Sequence, residues 1–481
     1  MEAGLPAELP RLSRTAPRAA TGIVHLGLGA FFRAHGAVYL DEIMAAQGGD
    51  WGIVGVSLKS PGTRDRLAPQ NCAYTALELG PEGRTPRVID SVVEVLVAPE
   101  DPQAVLDVMA AEGTRIVTLT VTEKGYCHNP SSGSLNLEHP DIRHDLSAAL
   151  PVSAPGYIVR ALELRRAAGL RPFTVMTCDN LPNNGRVLRG VVLELARQID
   201  PALGDWIAAE ARFPSTMVDR IVPATKPEDI AALAELTGTN DQAPVMHEPF
   251  RQWVVEDEFV DDNRPDLAAV GVQMVADVTA FEHMKLRMLN GTHSSLAYLG
   301  YLAGHETIAD TAADPVFADF VKHLWAAEII PVLTPPPGED LNAYADALFQ
   351  RYANPAIRHL TWQIAMDGSQ KLPQRILGTL AEAHAAGREA PGLTLAVAGW
   401  MRYVGGTDEK GGTIDVRDPL ADRLHSLSSA AATPAEKVAA LLSVREIFSA
   451  EMAEALQPSL TRSYETLVQK GARAAAAEVT P

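Results

Sequence analysis

The stretch 285–293 carries Lys285, Asn290 and His293 within an otherwise apolar pattern that is typical of a helix. At about 100° per residue, these three side chains fall at roughly 0°, 140° and 80° around the helix axis. Glu282 falls at roughly 60°, inside the same arc. One helix face would therefore present a possible base, an amide donor, an imidazole and a carboxylate. This combination suits acid–base chemistry on a carbonyl or hydroxyl group.

A lysine that works as a base needs surroundings that lower its pKa. Hydride leaves an alcohol carbon only as the hydroxyl proton is removed, but an exposed lysine, with a pKa of about 10.4, is a poor base at neutral pH. Burial in a cleft and a nearby positive charge both lower the pKa of a lysine. Arg287 is close in sequence but projects from another side of the helix, so we do not expect it to act on Lys285.

Each of these side chains also has a purely structural interpretation. A single helical lysine is usually solvated, His293 alone is more often a core imidazole, and Glu282 alone would be a carboxylate in the first turn of a helix. Because Asn290 and His293 lie on the same apolar helix as Lys285, we favour the functional interpretation of this lysine.

Length and charge limit the class of protein. At 481 residues the chain is too long for one compact core, so two or three domains are expected. Hydrophobic residues make up 47% of the chain, which is enough to fill those cores. The net charge of −19, without a compensating basic block, argues against nucleic acid as a partner.

The cysteines and the N-terminal residues indicate in which cellular compartment the protein is expected. Cys72, Cys127 and Cys178 are far apart and form no CxxC motif, which favours a reducing environment. The first twenty residues lack the apolar core of a signal peptide, and no apolar run reaches the roughly 18 residues of a membrane span. We therefore expect a cytoplasmic protein without a membrane partner.

Apolar runs alternate with helical patterns in the first half of the chain. Strands are predicted at 22–28, 51–58, 87–96, 115–122 and 172–177, and helices at 29–46, 104–111 and 157–168. This alternation predicts an α/β fold with a doubly wound parallel sheet, preceded by an irregular arm over 1–20.

Beyond about residue 280, long alanine- and leucine-rich segments dominate. Helices are predicted at 281–303, 314–330, 341–352, 376–386, 434–455 and 459–478. The predicted domains are therefore an α/β domain over 1–280 and a mainly helical domain over 281–481.

Gly27-Leu28-Gly29 ends the first predicted strand and opens the first predicted helix. Backbone N–H groups and a helix N-terminus at such a turn can hold a pyrophosphate. The full GxGxxG pattern is not met because position 32 is Phe, and a turn that only packs is the alternative. The second strand is followed by Arg64 and Arg66 rather than by an acid for the adenosine ribose, which leaves NADP open beside NAD.

Four ordered motifs, at 27–35, 122–126, 178–180 and 285–293, resemble those of the polyol-specific long-chain dehydrogenases, the mannitol dehydrogenase family. The resemblance extends from about residue 20 to 475. It is strongest to the uronate reductases of that family, through the stretches 213–223, 248–253, 297–302 and 362–375. Phe32 stands where the family usually has His, and Gly36 where it usually has Gln.

The resemblance implies a Rossmann-like nicotinamide-binding domain, a helical domain, a cleft between them, NAD as cofactor and no metal. It implies Lys285 as the acid/base, Asn180 and Asn290 as donors to the developing oxyanion, and His293 as a substrate contact. Glu123 and Glu282 would lie on a proton path, and Asp219 would lie in the substrate site. The implied cofactor-binding residues are Gly27, Gly29, Ala30, Phe31 and Arg33.

A sugar-acid substrate would need a cation for its carboxylate. The candidates are Lys371, Arg375 and Arg358, among which the sequence does not choose. Lys371 and Arg375 could equally form a solvated helix face, although Pro373 between them argues against a regular helix. The lone Asn180 could be a turn residue, and Glu123 could form a surface pair with its neighbouring lysine.

Three functions follow. The first is hydride transfer between NAD(H) and a sugar acid, interconverting D-fructuronate and D-mannonate. The second is oxidation of a neutral polyol such as mannitol, and the third is a nucleotide-binding regulator without activity. HExxH, paired His/Cys spacings and Gly-x-Ser-x-Gly are absent, so neither a metal site nor a hydrolase is indicated.

Overall fold

The computed structural model describes residues 9–129 and 132–480. Residues 1–8 of the predicted arm lie outside this range. The chain divides into two compact units, Met1–Thr279 and Ala280–Pro481. The sequence-based prediction placed the boundary between residues 280 and 281.

Unit 1 contains the strands of three sheets. They are β1 (Thr21–Leu26), β2 (Gly52–Ser57), β3 (Tyr74–Gly80), β4 (Gly83–Ile89), β5 (Val92–Val97), β6 (Ile116–Leu119), β7 (Thr174–Thr177), β8 (Thr216–Asp219), β9 (Val245–His247), β10 (Gln252–Glu256) and β11 (Gln273–Val275). Its helices are α1 (Ala30–Ala34), α2 (Gly36–Gln47), α3 (Gly62–Leu67), α4 (Pro102–Ala110), α5 (Pro140–Ser147), α6 (Ala154–Ala167), α7 (Asn184–Ile199), α8 (Pro201–Glu210) and α9 (Pro227–Thr237).

The largest sheet has the order β5-β2-β1-β6-β7, and all its neighbouring strands are parallel. Val24 of β1 pairs with Val54 on one side and Val117 on the other, and all three are buried. Strands that are covered on both faces consist of short runs of apolar residues. The strands of this sheet could therefore be predicted from the sequence. The Rossmann-type doubly wound sheet is confirmed, since the strand order reverses at β1.

The predicted third strand at 87–96 is wrong, because the chain turns at Asp90 and Ser91. Backbone N–H of Asp90 donates to Asp41 Oδ1 at 2.9 Å, and Ser91 Oγ donates to the carbonyl of Ala37 at 2.8 Å. The first part, β4, is the edge strand of a separate sheet, β4-β3-β9, whereas β5 joins the main sheet. The third sheet, β11-β10-β8, was not predicted, because its strands are too short to show a period.

The predicted helix at 29–46 is interrupted at His35, whose φ of −127° and ψ of −90° are not helical. Phe32, before the break, stacks on His25 with ring centroids 3.5 Å apart. A Cβ on Gly36 would come within 2.5 Å of the Phe32 ring. The two departures from the family pattern, Phe32 and Gly36, are therefore packed against each other.

Unit 2 is mainly helical, which confirms the predicted class. Its helices are α10 (Thr279–Met284), α11 (Thr292–Leu302), α12 (Ile308–Ala313), α13 (Pro315–His323), α14 (Leu341–Tyr352), α15 (Thr361–Ala365), α16 (Gly368–Leu372), α17 (Gly378–Ala385), α18 (Pro391–Tyr403), α19 (Ala421–Ala430), α20 (Pro434–Leu442), α21 (Ala450–Lys470) and α22 (Ala472–Val479). π-helical turns occupy Lys285–Gly291, Leu324–Ile329 and Pro373–Leu377.

Several helix predictions in unit 2 need correction. The predicted helix at 434–455 is two helices, and α21 continues through Pro458, where a break was predicted. Helix α18 was missed because it is buried on almost all sides, so its apolar residues show no amphipathic period. No helix among the described residues is both long and apolar enough to cross a membrane.

Candidate active site

The glycine turn of unit 1 follows β1. Gly27 has φ +87°, and a Cβ on it would come within 2.3 Å of the carbonyl oxygen of Thr120, so only glycine fits. A Cβ on Gly29 would come no closer than 3.8 Å to any described atom outside its chain neighbours. The backbone N–H groups of Gly29, Ala30 and Phe31 therefore lie at the start of α1, and there is room for a ligand beside Gly29. This arrangement fits a dinucleotide pyrophosphate.

The side chain of Arg33, one of the predicted cofactor-binding residues, points into unit 1. Its side chain is buried, and its guanidinium donates to the carbonyl of Ala243 at 2.6 Å and to that of Gly29 at 3.3 Å. The guanidinium thus ties the turn to the interior of unit 1 instead of facing a ligand. Sequence spacing could not show this, because Ala243 is distant along the chain.

Arg64 and Arg66, the cations that left NADP open, lie on α3, which follows β2. Arg64 forms ion pairs with Asp65, at 2.8 Å, and with Glu100. A guanidinium engaged by two carboxylates is poorly available to a 2′-phosphate.

Glu123 and Asn180 follow two neighbouring strands, β6 and β7. Both side chains are exposed. The buried Asp179 connects the two strand ends, because its carboxylate accepts from the backbone N–H groups of Val121 and Thr122 at 3.0 and 2.9 Å. Since β6 also pairs with β1, these strand ends lie on the same sheet edge as the glycine turn, where ligands bind in such folds. Asp219 ends β8 in another sheet and is buried.

Cys127, His139 and Asp141 bring possible metal-ligand atoms within 4.8 Å of one another. His139 Nδ1, however, accepts a hydrogen bond from the backbone N–H of Asp141 at 3.2 Å and caps α5. Cys127 packs in the apolar core, where burial raises its pKa to about 12. We assign no metal to these residues.

The segment Lys285–Gly291 of unit 2 is a π-helical turn, not the α-helix that the sequence predicted. The angles predicted for an α-helix are therefore wrong. A π-helix bonds residue i to i+5, so Lys285 and Asn290 lie in successive turns rather than on widely separated faces. The sequence could not show this because apolar spacing does not distinguish a short π turn.

Side chains from other helices hold this π turn. Trp325 Nε1 donates to the carbonyl of Met288 at 3.1 Å, and Tyr352 Oη donates to the carbonyl of Leu289 at 2.6 Å. A Cβ on Gly291 would lie 2.5 Å from the carbonyl oxygen of Arg375, so the turn also packs closely on the one at Pro373–Leu377. π turns of this kind occur often at functional sites.

Lys285, Asn290 and His293 are buried, each between 7 and 8% exposed. Among the described residues, Asn290 Nδ2 and His293 Nε2 have no hydrogen-bond partner. Buried polar atoms without a partner often mark positions where a ligand or an ordered water bonds. Glu282 is half-buried on α10, one turn before the lysine.

His293 lies among aromatic rings and positively charged side chains. Its ring centroid is 4.7 Å from that of His359 and 5.1 Å from that of Tyr352. Burial lowers the pKa of His293 well below its usual value, and burial also lowers the pKa of His359 to about 4. The positive charges of Lys371 and Arg375 act in the same direction. Both imidazoles are therefore neutral at pH 7.

Lys371 and Arg375 are largely buried in the same group. Lys371 Nζ donates to the carbonyl of Met366 at 2.5 Å, and Arg375 Nη1 donates to Ser294 Oγ at 3.1 Å. Burial, and next the charge of Arg375, lower the pKa of Lys371 to about 8. Neither cation forms an ion pair with any described carboxylate.

Arg358 differs from these two cations, because it is 62% exposed and paired with Glu306 at 2.6 Å. The structure thus distinguishes the exposed Arg358 from the largely buried Lys371 and Arg375, whereas the sequence did not distinguish among these three candidate cations. Tyr352 and His359 were missed, since only the tertiary packing of distant segments brings them to His293. Ser294 was missed although it follows His293 directly, because only its hydrogen bond from Arg375 shows its place in the group. Arg287, set aside from the sequence, forms a two-fold ion pair with Glu382.

A Rossmann-type sheet with an open glycine turn, joined in one chain to a helical unit with a buried lysine and amide, defines an oxidoreductase. The Mannitol dehydrogenase Rossmann domain family matches residues 21–269, and the Mannitol dehydrogenase C-terminal domain family matches residues 277–468. The chain belongs to the mannitol dehydrogenase family.

Two relatives and one solved structure illustrate the similarity. The chain is 47% identical to D-mannonate oxidoreductase of Escherichia coli (strain K12), over 98% of both chains. It is 40% identical to mannitol 2-dehydrogenase of Pyricularia oryzae, over 94% of this chain and 92% of the relative. The ternary complex of Pseudomonas fluorescens mannitol 2-dehydrogenase with NAD and D-mannitol has a TM-score of 0.86 and 39% identity, covering 99% of this chain and 97% of that one.

Proposed function

We propose that the protein transfers a hydride between NAD(H) and a sugar acid, interconverting D-fructuronate and D-mannonate. The observation that carries this proposal is the pair Lys371 and Arg375, two largely buried cations without a carboxylate partner among the described residues. A buried charge is costly unless it is paired. A substrate carboxylate would supply the missing negative charge, and the planar guanidinium can bind it through two hydrogen bonds.

The neutral imidazoles of His293 and His359 support an anionic ligand in another way. Both imidazoles lie near enough to Lys371 and Arg375 for these charges to lower their pKa values, and neither imidazole carries a charge of its own at pH 7. The site in unit 2 therefore offers positive charge from Lys371 and Arg375 together with uncharged hydrogen-bonding atoms. A neutral hexitol needs only the second of these features.

Lys285 is the proposed acid/base. Its amine would take the proton from the substrate hydroxyl during oxidation and return it during reduction. Asn290 Nδ2, which has no partner in the described structure, would donate to the substrate oxygen as negative charge develops there. His293 would hold the substrate through an uncharged ring nitrogen. A role for Asn180 as a donor to the developing oxyanion, a proton path through Glu123 and Glu282, and a substrate contact at Asp219 stay predictions.

NAD, when bound, accepts or supplies the hydride. The residues that would hold it are those of the glycine turn, Gly27 and Gly29, with the backbone of Ala30 and Phe31. We propose NAD rather than NADP, because Asp65 and Glu100 engage Arg64. The three cysteines are free thiols, which supports a reducing compartment such as the cytoplasm.

Oxidation of a neutral polyol is the second candidate. The structural similarity to a mannitol 2-dehydrogenase bound to D-mannitol favours it, at 39% identity. Identity of 47% over 98% of both chains to a D-mannonate oxidoreductase favours the sugar acid.

A substrate screen tests the proposal. Absorbance of reduced nicotinamide would be followed with D-mannonate, D-altronate, mannitol and arabinitol, each with NAD and with NADP. We expect the highest kcat/KM for D-mannonate with NAD. Faster turnover of mannitol than of D-mannonate would replace the sugar acid by the polyol, and a higher kcat/KM with NADP would refute the proposed cofactor preference.

A further inference from the structure

We propose that Asp179 is a positioning residue, which holds the backbone at Thr122 in a strained conformation and so fixes Glu123 and Asn180. The inference rests on the proposed function, because Glu123 and Asn180 matter only as its predicted site residues. Asp179 itself need not touch the substrate or the cofactor. It lies between the ends of β6 and β7 and is 8% exposed.

The carboxylate of Asp179 accepts three hydrogen bonds from the chain that follows β6. Oδ2 accepts from the backbone N–H of Val121 at 3.0 Å and from Tyr126 Oη at 3.0 Å. Oδ1 accepts from the backbone N–H of Thr122 at 2.9 Å. The short helical turn Glu123–Tyr126 is therefore attached at both its ends to one side chain on the neighbouring strand end.

Thr122 has φ +63° and ψ +165°. This backbone region is populated almost only by glycine, because a Cβ clashes there, and threonine is branched at Cβ. Strained backbones persist only where the surroundings hold them, and they concentrate at active sites. The hydrogen bond from Thr122 N–H to Asp179 is an interaction at the strained residue itself.

Hydrogen bonds from other residues hold Asp179 itself in place, so that it can fix the backbone at Thr122. Its backbone N–H donates to Thr177 Oγ1 at 3.2 Å, and its carbonyl accepts from Asn184 Nδ2 at 2.9 Å. Tyr126 Oη also bonds Thr177 Oγ1, which closes a small network around the carboxylate. Because Asn180 directly follows Asp179, the same network sets the point at which the chain leaves β7.

The first test is Asp179→Asn. The amide keeps the size of the side chain but turns one acceptor into a donor, which then faces a backbone N–H or the Tyr126 hydroxyl. We expect kcat per folded molecule to fall about 10- to 100-fold, as for a misplaced site residue. The Kd for NAD should be nearly unchanged, because the glycine turn bonds to other residues.

Rescue by Thr122→Gly is the deciding experiment. Glycine adopts the conformation of residue 122 without strain, so the double variant Asp179→Asn/Thr122→Gly should recover much of kcat. Asp145→Asn is the matched control, since Asp145 is also buried and accepts from two backbone N–H groups, those of Val152 and Ser153, away from the strand ends. It should lower Tm without lowering kcat per folded molecule.

The outcomes separate the two proposals. Wild-type kcat in Asp179→Asn, or a double variant no better than the single one, would overturn the positioning role. A wild-type enzyme that turns over no sugar acid or polyol would overturn the proposed function instead. The stability arm needs no substrate: Thr122→Gly should raise Tm more in the wild type, where Asp179 imposes the strain, than in the Asp179→Asn background, where the backbone of Thr122 can relax, and equal shifts would overturn the inference.

Discussion

The two units place their functional groups by different physical means. In unit 1, parallel strands end at one sheet edge, so the glycine turn and the residues after β6 and β7 come together from topology alone. In unit 2, regular helices would leave their polar side chains scattered. The group around His293 forms where helices change to π turns at Lys285–Gly291 and Pro373–Leu377.

The two kinds of site also differ in how far they disturb the backbone hydrogen bonds of the elements that form them. A strand end exposes functional groups without breaking the hydrogen bonds of the sheet. A π turn widens the helix and shifts its carbonyls, which then need other partners. Trp325 and Tyr352 supply two of these partners in unit 2. The helical site therefore depends more strongly on surrounding packing than the strand-end site does.

The largest expected effect separates chemistry from nucleotide binding. Lys285→Ala should lower kcat on the order of 10²–10⁴-fold through loss of the acid/base. The Kd for NAD should stay nearly constant, because Lys285 is not among the residues proposed to hold the dinucleotide. Steady-state kinetics and a nucleotide titration measure the two, with Lys322→Ala, an exposed lysine of the same unit, as control. A Lys285→Ala enzyme with half the wild-type kcat would refute the assignment.

The second effect tests the positive charge of unit 2. A charged hydrogen bond contributes about 1.5–3 kcal/mol, so Arg375→Ala should lower kcat/KM for D-mannonate roughly 10- to 150-fold. Any activity on mannitol should change little, because a neutral hexitol brings no carboxylate. Arg358→Ala is the control, since Arg358 is exposed and paired with Glu306. Equal losses on both substrates would show that Arg375 supports packing rather than carboxylate binding.

The third prediction compares a glycine in each unit. Gly291→Ala should destabilise the protein by about 1–3 kcal/mol, because its Cβ meets the backbone of Arg375 and overpacks two π turns. Gly190→Ala, on α7 of unit 1, should instead stabilise by roughly 0.4–1 kcal/mol, because no described atom lies within 4 Å of the added methyl group. Denaturant unfolding of both variants measures the contrast. Similar shifts would mean that the π turns are not tightly packed.

The smallest effect concerns pH. The pKa of His359 falls from 6.5 to about 4 in the folded protein, chiefly through burial and then through Lys371 and Arg375. Between these values the unfolded chain binds a proton that the folded chain does not, so stability is complete above pH 6.5 and is lost as pH falls towards 4. With allowance for partial solvent screening, the loss is of order 1–2 kcal/mol.

Replacing His359 checks this sign. Denaturation midpoints between pH 7 and 4 should decline less steeply for His359→Asn than for the wild type. His425→Asn, at an exposed position, is the control and should keep the wild-type slope. An unchanged slope in His359→Asn would place the acid sensitivity elsewhere, for example at His25 and His247 of unit 1.

The sequence predicted the main sheet well, because buried parallel strands are unbroken apolar runs such as β2, which lies between predictable turns. It missed the break at Asp90 and Ser91, because side-chain bonds to α2 create that turn. It also missed α18, whose burial on almost all sides removes the helical period.

For the candidate site, the sequence showed the residue types but not their arrangement. The glycine turn is a local motif, and the spacing of Lys285, Asn290 and His293 suggested a shared face even though the assumed helix type was wrong. No local signal linked His359 or Tyr352 to His293, nor separated Arg358 from Arg375. Those relations depend on which distant helices pack together, and on the burial of Arg33 beneath the nucleotide turn.

The packing of Phe32 on Gly36 makes the residues that these two positions can accept depend on each other. With Phe32 present, any side chain at position 36 must displace a ring that is already stacked on His25. Replacing Gly36 alone should therefore destabilise unit 1, whereas a smaller residue at position 32 would first make room for a side chain at 36.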